Sequence, residues 1–144
     1  MFKLDEILAE WDKDSELDRT EPGRELIKIP KLHSKYLTIM SHYRQLVRSN
    51  EFRIAELKKL KWQYYTGKMS QEDLAENSWQ PFPYVLKSDV TTYIDGDKDL
   101  NRLMAQKSMN QECVTACEFI LKELHSRTFQ LKSFIDYERF IQGA

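Results

Sequence analysis

The sequence predicts an all-α fold of elongated helices that ends in a long C-terminal helix. Three observations carry that prediction. Turn-forming residues are scarce, with four glycines and four prolines in 144 residues and 31% of positions charged, which suits long helices better than a sheet with many turns. From Leu32 to Tyr64 a packing seam recurs at steps of four and three, the repeat of a helix that lies along a partner. From Asp97 to about Gln142 nothing interrupts a second helical pattern.

Leu4, Ile7, Leu8 and Trp11 fall at i, i+3, i+4 and i+7 and predict a short amphipathic helix ending near Asp14, whose apolar face needs a partner. The acidic stretch that follows is broken by Pro22 and Gly23. It reads as a connection, either plain solvated surface or a docking site for a basic segment. Pro30 pushes Ile29 away from helical backbone, so the long helix begins near Lys31 or is kinked there. Its seam runs Leu32, Tyr36, Ile39, Tyr43, Leu46, Asn50, Arg53, Leu57, Leu60 and Tyr64. The polar members Asn50 and Arg53 either set register or mark a change of packing side. A column spaced by seven runs Met40, Val47 and Ile54 and then Lys61 and Lys68, so the apolar stripe ends where the cations begin. Over residues 31–66 such a helix is about 54 Å long, too long for a compact domain of this size, and predicts packing against other chains.

Ser70, with Asp73 three residues on, predicts a cap and a short helix to about Asn77. Pro81 and Pro83 then stop regular structure, and Trp79, Phe82 and Tyr84 form an extended aromatic strip expected to pack over a helix. Asp95, Asp97 and Asp99 match a calcium loop only in part, since Leu100 and Gln106 stand where that motif needs glycine and glutamate. A cap for the next helix explains them better. In that helix Cys117, Leu121, Leu124, Thr128, Leu131 and Ile135 continue a four-three seam, and Ile120, Phe134 and Ile141 widen it. A widened seam suits a coiled-coil or bundle-type homo-oligomeric ring of several helices. Cys117, Ile120, Leu121, Leu124, Leu131, Phe134 and Ile135 are therefore assigned to contacts between copies. A hairpin with the 31–66 helix inside one chain is the alternative, and both can hold on different faces. The resulting organisation is one continuous domain, with residues 1–95 for binding and residues 96–144 for oligomerisation.

Charge is strongly partitioned. Residues 1–25 hold nine acids and four bases, residues 26–68 two acids and ten bases, and residues 69–99 seven acids and two bases. A basic stretch of this kind acts locally whatever the overall balance, because screening confines it to about 8 Å at physiological salt. Its densest part is KKLKWQYYTGK, Lys58 to Lys68. Helical spacing places Lys58, Lys61, Tyr65 and Lys68 on one stripe and Lys59, Trp62 and Thr66 on the next. Lys58, Lys59, Lys61, Trp62, Tyr65 and Lys68 thus alternate cations with flat rings. Single-stranded nucleic acid is bound by that pairing, cations following phosphates while rings stack on bases. A solvated helix end, with lysines at the negative pole and Gly67 as C-cap, has the same spacing, and both readings stand.

No apolar run reaches the length of a bilayer span, and the first residues lack the apolar region of a secretory signal. A cytosolic protein with reduced Cys113 and Cys117 is expected. Those two cysteines do not make a zinc site, and His33, His42 and His125 are scattered. With no phosphate-cradling glycine loop and no nucleophile elbow, no catalytic residue, metal or cofactor is expected.

The basic-aromatic stretch resembles the LKARLDYYSG motif of the UvsY family of phage recombination mediators. Residues from about Asp18 to Gly67 lie beside that family without gaps, and the long capped C-terminal helix has its counterpart. On the motif Lys59 and Lys61 take the places of the basic pair thought to contact DNA, and Tyr64, Tyr65 and Gly67 match as they stand. Lys61 replaces an arginine, Lys58 a leucine and Gln63 an aspartate, and Pro30 departs from the T-even members. Losing the arginine removes a planar fork that stacks and chelates. The resemblance implies a non-catalytic mediator that binds single-stranded DNA as a homo-oligomer, heptameric in the family. Such a protein helps a RecA-like recombinase replace single-strand-binding protein during presynaptic filament assembly, in the cytoplasm of the infected bacterial host. Only the resemblance supplies recombination. The helices alone also fit a coiled-coil assembly or adaptor protein that never touches nucleic acid, which indifference to DNA and to salt would mark. A zipper-type duplex reader fits less well, because here the basic patch follows the seam.

Overall fold

Helices make up the regular structure of residues 3–82 and 87–143, the part of the chain described by the computed structural model, and no strand occurs among the described residues. The elements are α1 (Leu4–Asp14), α2 (Pro22–Tyr65), α3 (Gln71–Glu76), a 3₁₀ turn (Lys87–Asp89), α4 (Val90–Asp95) and α5 (Lys98–Ile141). Among the described residues no helix is long and apolar enough to cross a membrane. Tyr84 of the aromatic strip lies outside the described residues.

α2 starts at Pro22 rather than near Lys31, and Pro30 lies inside it. Proline suits a first helical turn, where its missing N–H has no partner to lose. The Arg24 and Glu25 N–H groups close that turn on the Glu21 carbonyl at 3.1 and 3.2 Å. Pro30 removes the donor that the Leu26 carbonyl would otherwise meet, at a cost of about 3 kcal/mol in a helix interior. Its ring faces solvent. The buried residues Tyr36, Ile39 and Met40 that follow fix the helix in place.

The chain divides into two compact units, Met1–Gln45 with Met109–Ala144, and Leu46–Ser108. Neither unit ends at the 95/96 boundary suggested by the helical pattern. In the first unit α1 packs with the early part of α2 and the later part of α5 around Ile7, Tyr36, Ile39, Met40, Tyr43, Val114 and Leu124. Polar groups hold α1 down as well. Lys35 Nζ lies 2.7 Å from both Glu10 and Asp14, and the Tyr36 hydroxyl donates to Asp14 at 2.7 Å. Burial pushes the Asp14 carboxyl up, but Lys35 and Tyr36 outweigh it and hold the group below its ordinary value. Arg127, 3% exposed, donates to the Asp14 and Ser15 carbonyls at 3.2 Å each. It thereby satisfies carbonyls that the end of α1 leaves without intrahelical donors, and its guanidinium lies 5.2 Å from the Trp11 ring centre.

The first unit also corrects the oligomer assignment. Cys117 and Leu124 are 0% exposed, Ile120 3% and Leu131 5%, so these side chains are spent on the core of one chain and cannot meet another copy. Leu121, Phe134 and Ile135 are half-buried. The seam has the hairpin geometry: Tyr43 meets Cys113, and Arg44 pairs with Glu118 at 3.4 Å. Both cysteines are free and buried, and burial pushes the Cys117 thiol up to about 11. What α5 leaves outside is a second apolar set, Phe119, Phe129, Tyr137, Phe140 and Ile141.

The second unit combines the later part of α2, α3, α4 and the start of α5. Ser70 caps α3 as expected, its hydroxyl oxygen accepting from the Asp73 N–H at 3.1 Å. Its apolar core is small, with Val90 and Leu100 buried and Ile54, Leu57 and Leu60 half-buried. Rings and ion pairs around the end of α2 supply the rest.

Candidate nucleic-acid interface

α2 ends on a left-handed Gly67, at φ 72°, a conformation that glycine adopts without a Cβ penalty. The Gly67 N–H donates to the Tyr64 carbonyl at 3.2 Å and the Lys68 N–H to that of Gln63 at 2.9 Å, the paired bonds of a Schellman stop. That turn folds Lys68 back, and its ammonium sits 4.7 Å from the centre of the Trp62 ring. Trp62 is 44% exposed, and Lys58, Lys59 and Lys68 are exposed as well. Three cations and one open ring therefore share the outer surface of the last turns of α2.

The other two members of the expected set point inward. Lys61 is 6% exposed, with Nζ 3.0 Å from Asp97 and 2.9 Å from Asp99. It lies 4.2 Å from the centre of the Trp79 ring. The Tyr65 hydroxyl donates to Asp97 at 2.7 Å, and its ring stacks on Tyr93 at 5.6 Å. Asp97 in turn accepts from the Leu100 N–H at 3.0 Å and so caps α5. Lys61 and Tyr65 are corrected accordingly: they hold α2 to the start of α5 instead of facing solvent. The physical reason is pairing, since a lysine is stable in such a place only if carboxylates meet it.

The electrostatics agree with that geometry. Burial works against the charge on Lys61, but Asp99 and Asp97 outweigh it and raise its pKa above the ordinary value. Burial likewise pushes Asp97 up, while Tyr65, the Leu100 N–H and Lys61 bring it below the ordinary value. The Tyr65 hydroxyl is pushed far up by burial and by Asp97.

Around this centre stands a ring cluster that the spacing of α2 does not reveal. Ser78, left-handed at φ 57°, ends α3 and directs Trp79 onto Tyr64, with ring centres 5.2 Å apart. The Tyr64 hydroxyl donates to the Gln80 carbonyl at 2.7 Å. Phe82 packs on Tyr64, Tyr65 and Tyr93. Trp79 and Phe82 pack over the end of α2, as expected of the aromatic strip, and Asp97 caps α5. Missed from sequence are Tyr93 and the pairing of Asp97 and Asp99 with Lys61, for which the alternating acids at 95, 97 and 99 were the one visible signal. Among the described residues no group of three or more His, Cys, Asp or Glu is placed to hold a metal ion.

A family model described as "Recombination, repair and ssDNA binding protein UvsY" matches residues 10–144. Two crystal structures of the bacteriophage T4 recombination mediator protein UvsY share the fold. In one lattice type the TM-score is 0.85 at 22% identity, covering 99% of this chain and 99% of that one. In the other it is 0.80 at 23% identity, covering 93% and 97%. No curated protein matches by sequence.

Proposed function

This chain belongs to the UvsY family of recombination, repair and single-stranded-DNA-binding proteins, and from that premise we propose that it is a recombination mediator. It binds single-stranded DNA on the last turns of α2 and promotes loading of a RecA-like recombinase in place of single-strand-binding protein. The observation that carries this reading is the outward set Lys58, Lys59, Trp62 and Lys68 on a helix end braced from behind by Lys61, Tyr65 and Asp97. Cations on phosphates and a ring on bases bind a strand without reading its sequence. A brace lowers the ordering cost of that contact.

One such grip is weak, so the mediator acts as a homo-oligomer in which further grips engage at effective concentrations of about millimolar. The exposed set Phe119, Phe129, Tyr137 and Phe140 on α5 supports contact between copies, because apolar patches of that kind mark interaction surfaces. A ring of grips favours the recombinase only if it prefers the strand geometry the recombinase needs, since equal affinity for both states shifts nothing. The setting is the cytoplasm of an infected bacterium.

The test is strand exchange by the cognate recombinase on DNA precoated with its single-strand-binding protein. Wild-type protein should stimulate exchange, and Lys58→Ala with Lys59→Ala should not. Absence of stimulation by the wild type overturns the mediator assignment. Salt-independent indifference to single-stranded DNA would favour an adaptor role.

A further inference from the structure

Beside the end of α2 lies a hollow of about 370 Å³, lined among the described residues by Trp62, Thr66 and Lys68 and by Val90, Thr91 and Ile94 of α4. Its walls differ in kind. Trp62 offers an open ring, Val90 and Ile94 an aliphatic side, and Thr66 and Thr91 hydroxyl oxygens. The Thr66 hydroxyl donates to the Trp62 carbonyl at 2.7 Å, so toward the hollow it is an acceptor. Thr91 is exposed, and its hydroxyl can donate or accept. Lys68 is the only charged group among the described lining residues.

We propose that this hollow seats one nucleobase of a bound single strand, stacked on Trp62, with the adjoining phosphate on Lys68 and the base edge against Thr91. The proposal rests on the single-strand reading above and adds α4 to the surface. Size favours one small planar group, because about 300–1,000 Å³ is the range of small-molecule pockets. Charge favours an anionic ligand, since among the described residues a lysine and no carboxylate lines the hollow, and Lys58 and Lys59 are exposed on the same end of α2. The Lys68 ammonium now rests over the Trp62 ring. An exposed cation–ring contact is weak, so an entering base can take the ring while the ammonium moves to the phosphate. A threonine hydroxyl pairs with any base edge, and the seat is therefore tolerant of sequence yet sensitive to loss of the base.

The experiment compares binding of an oligo-dT strand with that of the same sugar-phosphate strand lacking bases, at one salt concentration, using the full chain. Wild-type protein should prefer oligo-dT by about tenfold. That ratio should fall toward one in Trp62→Ala and in Thr91→Phe, which fills the hollow and leaves every cation in place. Retention of the preference by both variants overturns the base seat while single-strand binding stands. Failure of the wild type to bind either strand at low salt overturns both. Should Thr91→Phe not fold, photocrosslinking of a strand carrying 5-iodouracil decides the matter in the wild type. Adducts on Trp62 or the α4 peptide support the seat, and adducts confined to other segments overturn it.

Discussion

Replacing Lys61 by methionine separates the inner face of the α2 end from its outer face. The substitution keeps the length of the stem and removes a cation whose side chain is 7% exposed, held between Asp97 and Asp99 at 3.0 and 2.9 Å. Breaking one side of a buried ion pair costs about 3–5 kcal/mol. Asp97 keeps the Tyr65 hydroxyl and the Leu100 N–H, and the Asp99 side chain is 50% exposed. The loss therefore falls at the lower end, about 3 kcal/mol, or a drop in Tm of about 10 °C for a chain of this size. Binding is read differently. Each cation on a phosphate contributes about 0.7 to the slope of log K against log salt for single strands. Measured by anisotropy well below the melting temperature, Lys61→Met should keep the wild-type slope, whereas Lys59→Ala should flatten it by about 0.7 and leave Tm unchanged. A flattened slope with an unchanged Tm in Lys61→Met would refute the inward role of this lysine.

Four further outcomes are expected. Arg127→Met removes two charged hydrogen bonds to the end of α1, worth about 1.5–3 kcal/mol each, so amide exchange in α1 should accelerate before the rest of its unit; unchanged exchange would show that α1 docks without it. Phe129→Ser with Phe140→Ser should lower the sedimentation mass at constant Tm, whereas Leu124→Ala and Leu131→Ala should each lower stability by about 2–5 kcal/mol; the reverse pattern would exchange the two faces of α5. Pro30→Ala restores a helix donor and should raise stability by up to about 3 kcal/mol, which a chemical denaturation midpoint moving downward would contradict. Asp14 and Asp97 are held below the ordinary 3.8 and Lys35 and Lys61 above the ordinary 10.5. The aspartates' contribution is full above 3.8 and lost as pH falls through their lower folded values, and the lysines' is full below 10.5 and lost as pH rises through their higher ones. These four groups therefore contribute no pH dependence from about pH 5 to 9, and removing either aspartate should lessen the loss of Tm in acid.

The helices were legible because their signals are local. A four-residue apolar spacing marked α1, Ser70 and Asp73 marked α3, and Gly67 marked the end of α2. Of the two readings that Pro30 left open, the structure removes the start near Lys31, since α2 runs through the proline. The column Met40, Val47, Ile54 and Lys61 shows a different limit. Its period correctly put position 61 on the packed face, but charge made the lysine look like surface. The carboxylates that permit its burial lie 36 and 38 residues away in the sequence, where no helical period connects them. The seam through Cys117 and Leu124 was likewise real. A seam says that a face is covered and not by which chain, and here the chain's own α1 and α2 cover it.

The first unit is made from two stretches with the whole of the second between them, and Arg127 meets carbonyls 113 and 112 residues back in the chain. During synthesis at about 5–20 residues per second, α1 emerges on the order of ten seconds before Arg127. The contacts of residues 46–108 are closer in sequence and can close in that interval. Ile7 and Trp11 can meanwhile meet Tyr36 and the early part of α2 but not the later part of α5, so their cover is incomplete. A protease or chaperone attending the nascent chain therefore meets a segment that the finished protein keeps docked, and damage during synthesis falls first on α1.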